Sequence, residues 1–191
     1  FQGVRSFAVE EATENLFVGP LSYGKPNISV VPDPTGRFGE VFKFSPYTSS
    51  SWAFKNITTT IDSPYSGQVW CYVSLDYDGG PVGLYGEVGF SGMLRYYDLN
   101  KKGTWQLLKR ENLLASSTTG RALLYVFSGF TTGYVLFANQ QVENKPYCTS
   151  YVVGSRPPGR LVIPVEDLKF DIANDDWVIS YWKYPVATHN D

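Results

Sequence analysis

Histidine is nearly absent from this chain: His189, close to the end, is the one histidine in 191 residues. Proton transfer near neutral pH, zinc binding and Ser-His-Asp or Cys-His catalysis rely on a histidine held on an ordered element, whereas chain ends usually fray. The two cysteines, Cys71 and Cys148, leave open either a disulfide or two buried free thiols. We therefore expect no catalytic residues, no metal site and no cofactor, and hence a protein that is not an enzyme.

The sequence also lacks two features of large binding partners: a basic block for nucleic acid and a long apolar run for a membrane. The formal net charge is −2 and no block of Lys and Arg occurs, which argues against binding to nucleic acid. No apolar run approaches the roughly 20 residues of a membrane-spanning helix, which argues against membrane insertion.

Paired carboxylates need neither histidine nor cysteine, so they are the catalytic alternative that remains. Some β-sandwich xylanases carry a nucleophilic and an acidic glutamate on one concave sheet, and Glu87 in LYGEVGF and Glu40 in FGEVF are candidates. Neither glutamate has the surrounding pattern of those enzymes, so we expect two solvent-facing strand residues and keep a β-sandwich glycosidase as the less favoured alternative. Residues 76–80, DYDGG, resemble the opening of a calcium loop but lack its downstream glutamate, which predicts a polar turn.

Aromatic and turn-forming residues are plentiful instead, with 12 Phe, 14 Tyr, 5 Trp, 18 Gly and 12 Pro. Short runs rich in Val, Tyr, Phe, Thr and Trp alternate with Gly and Pro, which predicts an all-β fold. We expect an antiparallel β-sandwich or β-barrel with short strands, long loops and little helix. Phe1-Gln2-Gly3 matches the end of an engineered protease site, so we expect an expression-tag remnant at 1–3 and a single β-rich domain at 4–191.

Residues 68–77 show the clearest strand pattern. Cys71 shares an apolar face with two valines and Leu75, while Trp70 and Tyr72 lie on the opposite face, as the two-residue period of a strand requires. The pattern predicts that Cys71 lies in the core and that the strand is covered on both sides.

Other segments predict how the strands are connected. Residues 93–99 and 104–110 are expected to form a hairpin, and 121–127 and 134–138 are expected to be central strands joined across 128–133. Further strands are expected at 161–165, 168–172 and 177–184.

Aromatic residues in loops and turns, with positive residues near them, indicate a recognition surface. Rigid rings provide contact area at little entropic cost, and arginine donates paired hydrogen bonds. The candidate binding residues are Tyr47, Trp52, Tyr77, Trp105, Tyr147, Lys145, Arg156 and Arg160. Lys25 and Asn144 are further polar residues of this kind. The set is typical of a surface that binds protein or glycan, although each ring taken alone could instead cap an edge of the sandwich.

By its β-rich, aromatic-rich composition and its scarcity of His and Met, the chain resembles a protruding domain of a non-enveloped virus capsid, and the astrovirus capsid spike in particular. The polar ending 187–191 could introduce the acidic stretch that follows such a spike. The resemblance implies a virion-surface domain that attaches to a host-cell receptor and is recognised by antibodies. It also implies a homodimer, for which segments 68–77 and 121–138 could supply a self-complementary face. No motif aligns, so no residue role is carried over.

A cellular origin is the alternative that the sequence leaves open. A secreted, extracellular carbohydrate-binding module or lectin would have the same composition of strands, turns and surface aromatic residues. Both interpretations predict binding without catalysis, and they differ in the partner and in the oligomeric state.

Overall fold

The structure is a computed structural model that describes residues 12–157, and these residues form two five-stranded antiparallel sheets and a two-stranded one. The strands are β1 (Thr13–Glu14), β2 (Ser22–Tyr23), β3 (Ile28–Pro32), β4 (Glu40–Phe44), β5 (Ser51–Thr58), β6 (Pro64–Val73), β7 (Val82–Val88), β8 (Arg95–Tyr96), β9 (Trp105–Leu114), β10 (Thr119–Val126), β11 (Val135–Glu143) and β12 (Ser155–Arg156). A single 3-10 turn, Leu99–Lys101, is the helical structure within the described part of the chain.

The two large sheets form a β-sandwich, which confirms the predicted fold class. Sheet I has the strand order β2-β5-β10-β7-β8, and sheet II has the order β3-β4-β11-β6-β9. The small pair joins β1 to β12, with Thr13 opposite Arg156. The core between the large sheets contains side chains from both. On its sheet II side, Phe44 and Phe137 meet edge to face with ring centres 5.3 Å apart.

Strand β6 shows why the alternating pattern predicts this core. Its residue Cys71 is fully buried between the sheets, as predicted, while Trp70 and Tyr72 are half-buried on the outer face. The strand ends at Val73, because the chain turns there, and Leu75 is 74% exposed. The expectation that Leu75 shares the buried face is therefore wrong.

Both cysteines are free thiols. Burial raises the pKa of Cys71 well above its ordinary value. Burial, followed by the nearby Glu111 carboxylate, raises the pKa of Cys148 to about 12. Neither thiol is therefore activated as a nucleophile near neutral pH.

The two predicted hairpins are wrong, because consecutive strands cross between the sheets. Residues 95–96 form β8, which pairs with β7 in sheet I, whereas β9 pairs with β6 in sheet II. The Tyr97 hydroxyl fixes the crossing loop, since its oxygen lies 2.6 Å from the Lys101 carbonyl oxygen and 2.8 Å from that of Thr104.

Strands β10 and β11 are each the middle strand of a sheet, as predicted, but of different sheets. The connection crosses the end of the sandwich, where the Gly80 N–H donates to the Ser128 hydroxyl and the Tyr134 N–H to that of Ser74. Residues 121–138 therefore offer no hairpin face for a dimer. The strands expected at 161–165, 168–172 and 177–184 lie outside the described residues.

Candidate functional site

The outer face of sheet II is partly covered by the loop between β3 and β4, which Asp33 holds in shape. Its carboxylate accepts hydrogen bonds from the backbone N–H of Thr35 (2.8 Å), Arg37 (2.9 Å) and Phe38 (2.8 Å). Burial by itself would raise the pKa of Asp33, but these hydrogen bonds and that of the Thr35 hydroxyl outweigh it and lower the pKa. An ionised Asp33 thus gives an otherwise irregular loop a fixed conformation.

The loop rests on two tryptophans of the sheet. The guanidinium of Arg37 lies 4.0 Å from the Trp70 ring centre, and the Phe38 ring meets Trp105 edge to face at 4.7 Å. The Trp105 indole N–H donates to the Thr35 hydroxyl at 2.7 Å. These contacts complete a second, smaller apolar cluster outside the main core.

A groove of about 590 Å³ opens beside this loop on the same face of sheet II. Its floor comes from β6, β9 and β11, and one wall comes from the irregular segment 147–151. The lining residues are Gln68, Trp70, Leu107, Lys109, Asn139, Tyr147, Cys148, Thr149, Ser150 and Tyr151. The volume is in the range of about 300–1,000 Å³ that is usual for sites of small ligands.

Three buried polar side chains hold the wall of the groove against the sheet. Gln68 donates to the Thr149 carbonyl at 2.7 Å, and Gln141 accepts from the Val152 N–H at 2.9 Å. The Glu143 carboxylate accepts from both the N–H (2.9 Å) and the hydroxyl (2.6 Å) of Thr149. The wall is therefore fixed by buried hydrogen bonds, each of which would be costly to leave unmade.

Glu143 is the charged member of this group, and it is fully buried. It also accepts a hydrogen bond from the Thr13 hydroxyl. Burial acts to raise the pKa of Glu143, but the hydrogen bonds from Thr13, Thr149 and Gln141 outweigh it and lower the pKa below its ordinary value. The groove wall is thus anchored by an ionised carboxylate at neutral pH.

A bulge in β11 brings a further polar group to the groove. Pairing with β6 is interrupted between Ala138 and Gln141, and Asn139 has a φ of 50° there. Asparagine tolerates this left-handed conformation better than most residues. Asn139, Lys109 and Ser150 thus line the groove together with its aromatic residues.

The outer face of sheet I differs, because a row of aromatic rings crosses it from strand to strand. Trp52 of β5 lies parallel to Tyr125 of β10, with ring centres 5.8 Å apart and planes at 11°. Tyr125 contacts Phe127 at 4.3 Å and Tyr85 at 5.5 Å, and Phe127 contacts Tyr96 at 5.3 Å. The rings run along one line across β5, β10, β7 and β8.

The predicted binding residues are divided between these two faces. Tyr47 and Trp52 lie together at one end of sheet I, where Lys25 Nζ is 5.7 Å from the centre of each ring. Tyr147 lines the groove, and Trp105 lies under the loop of sheet II. The candidates therefore do not form one continuous surface.

The remaining predicted residues are less well placed for recognition. Tyr77 is buried, with its ring 4.9 Å from that of Phe130, and burial raises its pKa, so its assignment to the surface is wrong. Lys145 is half-buried with Nζ 5.7 Å from the Tyr147 ring centre. Arg156 is half-buried in β12, and Arg160 lies outside the described residues.

Sequence reasoning did not select several groove residues. Trp70 stood out in the alternation of β6 but was assigned only to packing, and Tyr151 carried no distinguishing signal. Lys109 and Asn139 have no distinguishing sequence context, and they line the groove because the wall segment 147–151 lies beside their strands.

The two candidate catalytic glutamates do not form a pair, because Glu40 belongs to sheet II and Glu87 to sheet I. Glu87 forms a salt bridge with Arg121 at 3.1 Å, and Glu40 is exposed. Within residues 12–157, no group of three or more potential metal-binding side chains comes together. No helix in that range is long and apolar enough to cross a membrane.

Comparison with known proteins extends the fold assignment. No protein-family model matches this chain, and no curated protein sequence matches it. A solved family 61 carbohydrate-binding module in complex with β-1,4-galactotriose is similar in structure, with a TM-score of 0.51 and 13% identity over 66% of this chain and 88% of that one. At this identity, the similarity shows a shared β-sandwich fold.

Two other solved structures are more distant. The C-terminal family 22 carbohydrate-binding module of Clostridium thermocellum Xyn10B has a TM-score of 0.47 and 11% identity, over 74% of this chain and 95% of that one. A family 16 module has a TM-score of 0.44 and 10% identity, over 61% of this chain and 84% of that one.

Proposed function

We propose that this domain is a non-catalytic glycan-binding module and that the groove on sheet II is its oligosaccharide site. The observation that carries the proposal is the lining of the groove, which combines Trp70 and Tyr151 with the polar groups of Lys109 and Asn139. The apolar C–H face of a sugar ring packs on an aromatic ring, while its hydroxyls need nearby donors and acceptors.

The rigidity of the groove wall supports the same proposal. A preformed site avoids the entropic cost of ordering a loop when the ligand binds. The hydrogen bonds that Thr149 accepts from Gln68 and donates to Glu143 fix the wall in advance. The sandwich fold shared with the galactotriose-bound module adds support, since that protein binds a sugar on such a framework.

A glycan array of neutral oligosaccharides, followed by calorimetric titration of the ligands that bind, tests the proposal. We expect Trp70→Ala and Tyr151→Ala each to weaken binding at least tenfold, because both remove a ring from the groove. Tyr23→Ala is the matched control, since Tyr23 is a 46% exposed tyrosine on sheet I. Equal affinity of wild type and Tyr151→Ala, with both folded by circular dichroism, would argue against the groove.

The resemblance to capsid spikes gives this activity a second candidate setting, attachment of a virion to a host-cell glycan. The exposed ring of Tyr96 favours it, because it leaves this part of the outer face of sheet I open to a large partner. A spike of this kind would be a homodimer, which light scattering at micromolar concentration would detect. A persistent monomer would count against the spike and would leave glycan binding unaffected.

A further inference from the structure

A positive charge that pairs with no carboxylate of residues 12–157 lies at one end of the aromatic row on sheet I. Lys25 is half-buried, and its Nζ is 5.7 Å from the ring centres of both Trp52 and Tyr47. The salt bridges of the described residues join Asp98 to Lys101 and Glu87 to Arg121, and none involves Lys25. Contact with two rings removes part of the water around the ammonium group, so a nearby anion would interact with it more strongly than at an exposed site.

The backbone beneath Trp52 is shaped to hold the ring in this position. The Gly24 N–H donates to the Trp52 carbonyl at 2.8 Å, and the indole lies so close to Gly24 that a Cβ atom there would clash with it. Glycine is therefore required for the ring to lie against the chain next to Lys25. This arrangement places the indole and the ammonium group side by side.

The row of rings extends this position into a longer surface. From Trp52 it continues through Tyr125 to Phe127 and Tyr96, across four strands that are about 4.8 Å apart. The row is therefore about 14 Å long, and the tyrosines on it carry hydroxyl groups that can exchange hydrogen bonds with a polar ligand.

We propose that Lys25, Tyr47 and Trp52 form a second ligand site, which binds an acidic sugar. The sugar ring packs on the Trp52 indole, and its negatively charged substituent, a carboxylate or a sulfate, pairs with Lys25 Nζ. Charge complementarity selects the acidic residue, while the remaining rings take the sugars that follow it. This site is on the opposite sheet from the groove and takes a differently charged ligand.

The surrounding charges favour a sugar over a polyanion. Arg121, the cation at the centre of this face, is already paired with Glu87 and also donates to Asn56 at 3.0 Å. Arg95 donates to the Lys109 carbonyl at 2.8 Å and to that of Leu94 at 3.1 Å. The face thus presents a point charge beside aromatic rings, whereas nucleic acids are bound by many cations along a phosphate backbone.

Calorimetric titration with matched pairs of oligosaccharides tests this site. The acidic members are a sialylated, a glucuronate-containing and a sulfated oligosaccharide, and each is compared with its neutral counterpart. We expect at least one acidic member to bind at least tenfold more tightly than its counterpart, with an affinity that falls as salt is added. The acidic member that binds then identifies the substituent as carboxylate or sulfate.

Single substitutions show whether binding of the acidic sugar depends on Lys25 or on any lysine that lies over a ring. Lys25→Gln should reduce the affinity for the acidic sugar at least tenfold, and Trp52→Ala should do the same. Lys43→Gln is the matched control, because Lys43 Nζ also lies over a ring, that of Tyr134 at 5.0 Å, but on sheet II. We expect Lys43→Gln to bind as the wild type does.

The proposal would be overturned if no acidic sugar binds, if the neutral counterpart binds equally well, or if Lys25→Gln binds as tightly as wild type. Equal binding of polyphosphate would also overturn it, because it would show attraction to any polyanion. The groove is measured with neutral ligands, so failure of either site leaves the result for the other intact.

Discussion

The outer faces of the two sheets carry similar aromatic residues but are built in different ways. On sheet II, a loop and an irregular segment fold back over the strands, so that Leu136 and Ala138 become buried outside the main core. On sheet I, the rings contact one another across strands, and Tyr96 remains 52% exposed. The same alternation of residues thus yields a walled groove on one face and an open row on the other.

The difference lies in what holds each face together. The wall on sheet II depends on buried polar anchors, and a buried donor or acceptor left unpaired costs about 1–3 kcal/mol. The row on sheet I depends on ring contacts, each of which contributes about 0.5–1.5 kcal/mol beyond the area it buries. Substitutions should therefore affect the stability of the two faces unequally.

Removal of the Glu143 carboxylate should give the largest effect. Glu143→Ala leaves Thr13 and Thr149 without their acceptor, and we expect the free energy of unfolding to fall by about 3 kcal/mol, as measured by urea denaturation. Glu143→Gln retains the side-chain volume and one acceptor oxygen, so it should lose less. A change below about 1 kcal/mol in the alanine variant would mean that Glu143 does not anchor the wall.

Acidification should also loosen the groove wall, because protonation of Glu143 removes the charge that anchors it. The pKa of Glu143 is lowered in the folded protein from its ordinary value of 4.5. Its ionised form therefore stabilises the fold fully above pH 4.5, and this contribution is lost as the pH falls through the lower, folded-state pKa. The protection factor of the Thr149 amide against hydrogen exchange, which corrects for the intrinsic effect of pH, should fall in that range, and Glu143→Gln should reduce its dependence on pH. An unchanged pH profile in the glutamine variant would assign the effect to other carboxylates.

A smaller loss is expected when the loop on sheet II loses one hydrogen bond. Trp105→Phe removes the indole N–H that donates to Thr35 but keeps a ring against Phe38. We expect about 1 kcal/mol of destabilisation, with a midpoint shift measured by thermal unfolding. Thr35→Val removes the same bond from the other side and should give a similar value. If the double variant is destabilised by the sum of the two single losses, Trp105 and Thr35 are not energetically coupled, and the prediction is wrong.

The local sequence pattern predicted where the strands lie better than it predicted which strands pair with each other. The period of two placed Cys71 in the core, and continuous apolar runs identified β10 and β11 as central strands. The predicted hairpins failed because connections cross between sheets, and a short turn does not reveal this. Tyr77 failed for a related reason: its burial depends on Phe130, which is distant in sequence.

The candidate sites show the same limit. Trp52 and Tyr47 were selected as isolated aromatic residues, but their shared contact with Lys25 arises only when three separate segments meet. The groove depends on Gln68 reaching Thr149 from a distant strand. Residue type thus indicated the kind of surface, while long-range hydrogen bonds determined where a concave site forms.

The smallest effect should come from truncation at the open end of sheet I. Tyr96 is more than half exposed and contacts the row through Phe127, so Tyr96→Ala should lower the free energy of unfolding by only about 0.5 kcal/mol, the low end of the range for one ring contact. The comparison with Glu143→Ala uses the same urea denaturation. A loss of 2 kcal/mol or so at Tyr96 would mean that the open row supports the fold as strongly as the anchored wall does, and the distinction between the two faces would fail.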